Sequence, residues 1–157
     1  MQKITNFLWF NKNALEAAKF YTSIFKNSKI TQITKNTGGV NGKSGSIMVV
    51  GFTINGQDFA ALNGGPIFKF NEAISFVVNC KDQKEVDYYW KKLSAGGKEV
   101  QCGWLKDKYG VSWQIVPNAL FKYCYGKNKE GAKRAMNAMM GMVKLDVNGL
   151  KRAYEGK

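Results

Sequence analysis

Residues Gln101 to Pro117 read Gln-Cys-Gly-Trp-Leu-Lys-Asp-Lys-Tyr-Gly-Val-Ser-Trp-Gln-Ile-Val-Pro. This stretch predicts a β-hairpin. Trp104 to Lys106 suits one strand and Val111 to Val116 the next. Asp107, Lys108, Tyr109 and Gly110 turn the chain between them, because glycine takes a positive φ without steric cost. The second strand carries one polar amide, Gln114, between Trp113 and Ile115. Such an amide faces either solvent or a cavity, and at this level both readings stay open.

Working outward, the hairpin ends a longer pattern. Ala73 to Asn79 is strand-like. Asp82 reads as a helix N-cap with Glu85 as its capping-box partner. Val86, Tyr89, Trp90 and Leu93 give that helix an apolar face, and Gly96-Gly97 stops it. Lys98 to Gln101 is a further short strand. The first half of the chain runs in the same order. Ile4 to Phe10 is a strand, and Asn13 with Glu16 opens a helix whose apolar residues run from Ala14 to Phe25. Ile30 to Lys35, Gly45 to Ile54 and Gln57 to Leu62 are strands, the last two joined by an Asn55-Gly56 turn. Asn13 and Asp82, Glu16 and Glu85, and Phe7 and Phe76 stand at one common offset. Gly56 and Gly110, and Phe59 and Trp113, stand at a second, shorter one.

The expected fold class is therefore α+β in a single domain. Two βαβββ modules, residues 1–71 and 72–117, packed side by side give a curved sheet with a central cleft, and residues 118–157 add C-terminal helices. Pro117 to Tyr125 and Glu130 to Val143 read as helical, and Asp146 caps a last helix through Tyr154. Met136, Met139 and Met140 lie at helical spacing. That stripe packs on its own domain or on a dimer mate.

Composition removes several kinds of chemistry. The chain has 157 residues and no histidine, which excludes His-based acid–base and nucleophile systems and every histidine metal ligand. Cys80, Cys102 and Cys124 form no C-x-x-C pair and read as reduced cytosolic thiols. No apolar run approaches the ~20 residues of a membrane span, and no signal peptide is visible, so the expected compartment is the cytoplasm. Net charge is +13, from 24 basic and 11 acidic residues. The lysines are dispersed and only Arg134 and Arg152 are arginine, so the charge reads as a solvated surface and a nucleic-acid partner is not expected. Asp58, Glu72 and Asp107 are single carboxylates without a visible partner, which gives no paired general acid and base.

Three stretches carry a resemblance. They are Asn6-Phe-Leu-Trp-Phe-Asn-Lys-Asn-Ala-Leu-Glu-Ala-Ala-Lys-Phe-Tyr21, Ala61-Leu-Asn-Gly-Gly-Pro-Ile-Phe-Lys-Phe70 and Cys102 to Pro117. Together with the paired modules they resemble the vicinal oxygen chelate superfamily of glyoxalases, dioxygenases and antibiotic-resistance proteins. More narrowly they are similar to its PhnB-like branch, often labelled 3-demethylubiquinone 3-methyltransferase. The resemblance implies a homodimer and a U-shaped mixed sheet that the two modules form around a cleft. It also implies metal ligands, where a metal is used, on the first and last strand of each module. Here those positions read Asn6, Ala60, Ser75 and Gln114, of which Gln114 is the one plausible ligand, so neither a metal nor another cofactor is expected. The methyl-donor label finds no strand-to-helix glycine turn. Gly38 to Gly42 lies between two strand-like segments.

The expected function is metal-free binding of a small organic molecule. Trp9, Gln57, Asn63, Phe68, Phe70, Trp104, Tyr109, Trp113 and Gln114 are the candidate wall. A divalent-metal enzyme of the same superfamily (a lyase, dioxygenase or transferase) is the alternative. A basic nucleic-acid-associated protein is the second. Cys102 reads as a structural thiol.

Overall fold

The computed structural model of the chain describes residues 3–38 and 42–157. Part of the expected Asn36 to Ser44 loop, residues 39–41, lies outside the described residues. Two compact units divide the chain, one through Phe70 and one from Asn71 to Lys157.

The first unit runs β1 (Asn6–Phe10), α1 (Ala14–Ile24), β2 (Lys29–Lys35), β3 (Ile47–Ile54) and β4 (Gln57–Asn63). Its sheet order is β1-β4-β3-β2, with β1 parallel to β4 and the other neighbours antiparallel. Asn55 and Gly56 both take positive φ, 48° and 81°, as a two-residue hairpin turn requires. Alanines at 14, 17 and 18 let α1 approach the sheet closely, and all three are fully buried. Tyr21 and Phe52 lie stacked at 6.2 Å, and Phe52 and Phe59 at 5.4 Å.

The second unit repeats this with β5 (Phe76–Cys80), α2 (Gln83–Ser94), β6 (Lys98–Glu99), β7 (Trp104–Lys106) and β8 (Ser112–Pro117). Its order is β5-β8-β7-β6, again with the first pair parallel. Asp82 caps α2 by accepting from the Glu85 N–H at 3.0 Å. Val86, Trp90, Leu93, Leu105, Trp113 and Ile115 make the core. Helices α3 (Ala119–Cys124), α4 (Lys129–Met140) and α5 (Val147–Glu155) complete the unit around Tyr123, Cys124, Ala135 and Leu150. Met136 and Met139 pack on that small core, whereas Met140 is exposed. Among the described residues no helix is long and apolar enough to cross a membrane.

Three local expectations change. Asn13 makes no side-chain cap on α1. Gln101 belongs to a turn, not a strand, and Cys102 and Gly103 there take φ of 60° and 81°. The repeat register also moves. Asn6 pairs with Phe59 and Phe76 pairs with Trp113, so Asn6 matches Phe76, and Thr5 matches Ser75. The β1–α1 connection is one residue longer than β5–α2, which is why the helix caps keep a different offset from the strands.

Asp107 organises the closing hairpin. It is 3% exposed and has donors on both oxygens. Oδ1 accepts from the N–H groups of Tyr109 at 2.9 Å and Val111 at 3.0 Å. Oδ2 accepts from the Trp113 indole N–H at 2.9 Å. Its partners are N–H groups, which a search for opposite charges in the sequence does not find. A buried acceptor left unpaired costs about 1–3 kcal/mol. Asp107→Asn would set an amide donor against one of these N–H groups, at a cost of about 2 kcal/mol. Trp113→Phe removes the facing indole N–H. Urea denaturation of D107N, W113F and the double variant should show a double variant more stable than the additive sum by about 1 kcal/mol. Additive losses would dissociate the carboxylate from the indole.

Candidate functional site

The first unit contains a corner where β4 ends. Asn63 Oδ1 accepts from the Ala14 N–H at 2.9 Å, and its Nδ2 donates to the Ile47 carbonyl at 3.0 Å. Asn63 therefore does the capping that Asn13 does not, from across the sheet. The next two residues extend the β1–β4 pairing, with Gly64 N–H donating to Phe10 O and Gly65 N–H to Asn11 O. Trp9 lies over this backbone, and its indole N–H donates to the Gly65 carbonyl at 2.9 Å. A Cβ on Gly64 would fall inside the Trp9 ring. Gly65 has φ of 87°, which disfavours any side chain there. Phe68 meets the Trp9 ring edge-on at 5.0 Å.

Beside this corner is an open hollow of about 920 Å³. Trp9, Met48 and Leu62 supply its apolar wall; Trp9 and Leu62 are cross-strand partners. Asn11, Lys12, Glu16 and Asn36 supply polar and charged groups at its edge. Of the expected wall residues, Trp9 and Asn63 line it, and Phe68 packs on the Trp9 ring without lining it. Phe70 packs instead against Phe10 at 5.2 Å. Gln57 begins β4, at the end opposite the corner, and is exposed. Met48, Leu62 and Lys12 were missed by sequence reasoning. Only the cross-strand register sets Leu62 beside Trp9, and nothing local distinguishes Met48 from its neighbours in an apolar strand.

The remaining candidates belong to the second unit. Gln114 Nε2 donates to Ser75 Oγ at 2.9 Å, and Gln114 stands in register with Trp104 and Val77. Trp113 is a core residue, its ring 5.3 Å from Phe76. Tyr109 sits in the turn, with Lys108 Nζ 5.2 Å from its ring centre. Glu72 has a partner after all. Lys106 pairs with it, and that hydrogen bond holds its carboxyl below the usual range. Burial pushes the Cys80 thiol up to about 12 and raises that of Cys124. Cys102 Sγ is partly exposed, 3.9 Å from Met140 Sδ.

A resident divalent ion does not fit these donors. The strand positions read by register are Thr5, Ala60, Ser75 and Gln114, which offer no carboxylate, imidazole or thiolate. Among the described residues, no three Cys, Asp or Glu side chains gather.

Comparison with known proteins bears on the whole strand region. The profile of a family described as 3-demethylubiquinone-9 3-methyltransferase matches residues 2–116. The chain is similar to a solved structure from Bacillus cereus, a putative 3-demethylubiquinone-9 3-methyltransferase called PhnB protein. Identity is 38% over 74% of this chain and 99% of that one, with a TM-score of 0.68. It shares its fold with protein PA1353 from Pseudomonas aeruginosa, at 17% identity over 74% and 98% of the two chains and a TM-score of 0.61. It also shares its fold with the fosfomycin resistance protein FosX from Listeria monocytogenes, complexed with Mn(II) and sulfate. There identity is 14% over 78% and 94%, with a TM-score of 0.51. No curated protein sequence matches it.

Asn63→Ala should cost about 2 kcal/mol, since it leaves the Ala14 N–H and the Ile47 carbonyl unpaired. Gly64→Ala should destabilise further through the Trp9 ring, and W9A should recover part of that loss. Thermal unfolding reads both, and an unaffected G64A would refute the close approach. With the native protein, maleimide should label Cys102 and spare Cys80 and Cys124 until denaturant is added. Mass spectrometry counts the adducts.

Proposed function

This chain belongs to the 3-demethylubiquinone-9 3-methyltransferase family, and with it to the vicinal oxygen chelate superfamily. On that premise we propose that it is a homodimeric protein that binds a small organic molecule without a resident metal ion. The hollow beside Trp9 carries this reading. Its volume of about 920 Å³ suits a small molecule, and an indole, a thioether and a leucine form one wall. A flat or apolar body would lie against Trp9 and Leu62. Its polar end would meet Asn11, Lys12 and Asn36. The side-chain amide of Asn63 is committed to α1 and β3, so it holds the corner and leaves ligand contact to its neighbours.

The family's descriptive name does not carry an activity to this chain. Gly38 and Gly42 stand between β2 and β3, not on a strand-to-helix turn where a methyl donor is commonly cradled. The Mn(II) of the FosX structure favours a metal-dependent enzyme as the second reading. Against it stands the donor set, in which Gln114 is bonded to Ser75 and no ionisable ligand accompanies it. Three free thiols, two of them buried, support a reducing cytoplasmic setting.

Protein purified without chelator should carry no stoichiometric Zn, Mn, Fe or Ni by elemental analysis. Native mass spectrometry should show the dimer with a retained compound, and Leu62→Trp, which sets a bulkier ring beside Trp9 in the apolar wall, should weaken the retention. A stoichiometric divalent ion would establish the metal reading. Retention unchanged in L62W would remove the ligand from this hollow.

A further inference from the structure

Residues 118–157 follow the stretch matched by the family profile, which ends at residue 116. Nine of the chain's 24 basic residues lie in this extension, against three of its 11 acidic ones. With both arginines among the nine, the extension carries a net charge of +6 out of the chain's +13. Its own core is closed by Tyr123, Cys124, Ala135 and Leu150. Two aromatic rings stay outside that core. Phe121 is 57% and Tyr125 69% exposed, and they stack on each other at 6.1 Å with 25° between their planes. Lys122, Lys127, Lys129 and Lys133 share the same stretch and are all exposed, with Glu130 the single acid among them. Among the described residues none of these four lysines is held in an ion pair.

Exposed rings in a field of uncompensated lysines select the partner by charge. A second copy would bring the same positive charge to the face and be repelled. A lipid surface is matched by a long helix with a continuous apolar face, and α3 has 6 residues with one exposed ring, Phe121, a second ring on its C-cap Tyr125, and no exposed aliphatic side chain. Single-stranded nucleic acid needs what is present: flat aromatic faces for bases and dispersed ammonium groups for phosphates. We propose that this face of the extension binds single-stranded nucleic acid, with bases stacked on Phe121 and Tyr125 and phosphates neutralised by Lys127, Lys129 and Lys133. This activity is separate from the hollow of the first unit.

The test is fluorescence anisotropy of labelled oligo(dT) and oligo(rU) titrated with the full chain at several salt concentrations. Wild type should bind at physiological salt, with affinity falling linearly in log salt. F121A/Y125A, whose side chains are exposed, should weaken binding about tenfold with the salt slope retained. K127Q/K129Q/K133Q should lower the slope by about 2. L62W should bind like wild type, which keeps this result distinct from that of the hollow. Circular dichroism checks that each variant is folded. Wild-type binding that is absent at physiological salt, or that neither variant alters, overturns the proposal. So does recruitment to phosphatidylserine vesicles that the same variants abolish while oligonucleotide binding stays unchanged.

Discussion

A carboxylate out of water must find donors, and Asp107 finds them within its own hairpin. The Tyr109 and Val111 N–H groups fold the turn onto the side chain, and the Trp113 indole ties the first residue of the turn to the strand that follows. Strand β7 has 3 residues and β6 has 2, too few for ladder hydrogen bonds alone to set the register. The Asp107 cluster sets it. With that register, Leu105 faces Trp113 in the core and Trp104 faces Gln114. The rest of the second sheet is built on this pairing, including the parallel seam that places Gln114 near Ser75.

The first unit meets the same demand by a different device. Its hairpin strands are long, so the weak point is the end of the sheet, where α1 begins without a cap of its own. Asn63 supplies the missing acceptor, and Gly64 gives Trp9 room to close over the backbone. The Asn-Gly-Gly run is therefore a structural corner first. The hollow follows from it, because the Trp9 ring held over that backbone leaves its neighbours Met48 and Leu62 as an uncovered apolar wall.

Both corners belong to the framework that the family profile matches, residues 2–116. Asp107, Gly110, Trp113, Asn63, Gly64 and Gly65 hold turns and seams within the stretches that carry the resemblance. A fold can persist while the groups that do chemistry on it change. The positions read by register are threonine, alanine, serine and glutamine, and Gln114 is hydrogen-bonded to Ser75. The basic helical extension is tied into the second unit, where the Cys102 and Gly103 N–H groups donate to the Met142 and Val143 carbonyls just before β7.

Much of the fold was legible because its signals are local. Alternation in strands, an Asn-Gly turn, the Asp82 cap and the recurrence of the whole order can be read from residues a few positions apart. Trp9 stands among the aromatics that the sequence offers for a pocket wall, and it lines the hollow beside Asn63. Tertiary structure decided what depends on partners far along the chain. Asn63 caps a helix 49 positions away, so no local pattern could separate it from a ligand contact. Trp113 and Trp104 are both tryptophans in adjacent strands, yet one is core and the other half-buried, a difference set by which side of the sheet each faces. The one-residue difference between the two strand–helix connections moved Asn6 to the helix side of its sheet, a shift invisible until the parallel seams were known. Composition by itself determined the absence of imidazole chemistry. Only folding determined that Asp107 would be buried and would accept from two backbone N–H groups and the Trp113 indole.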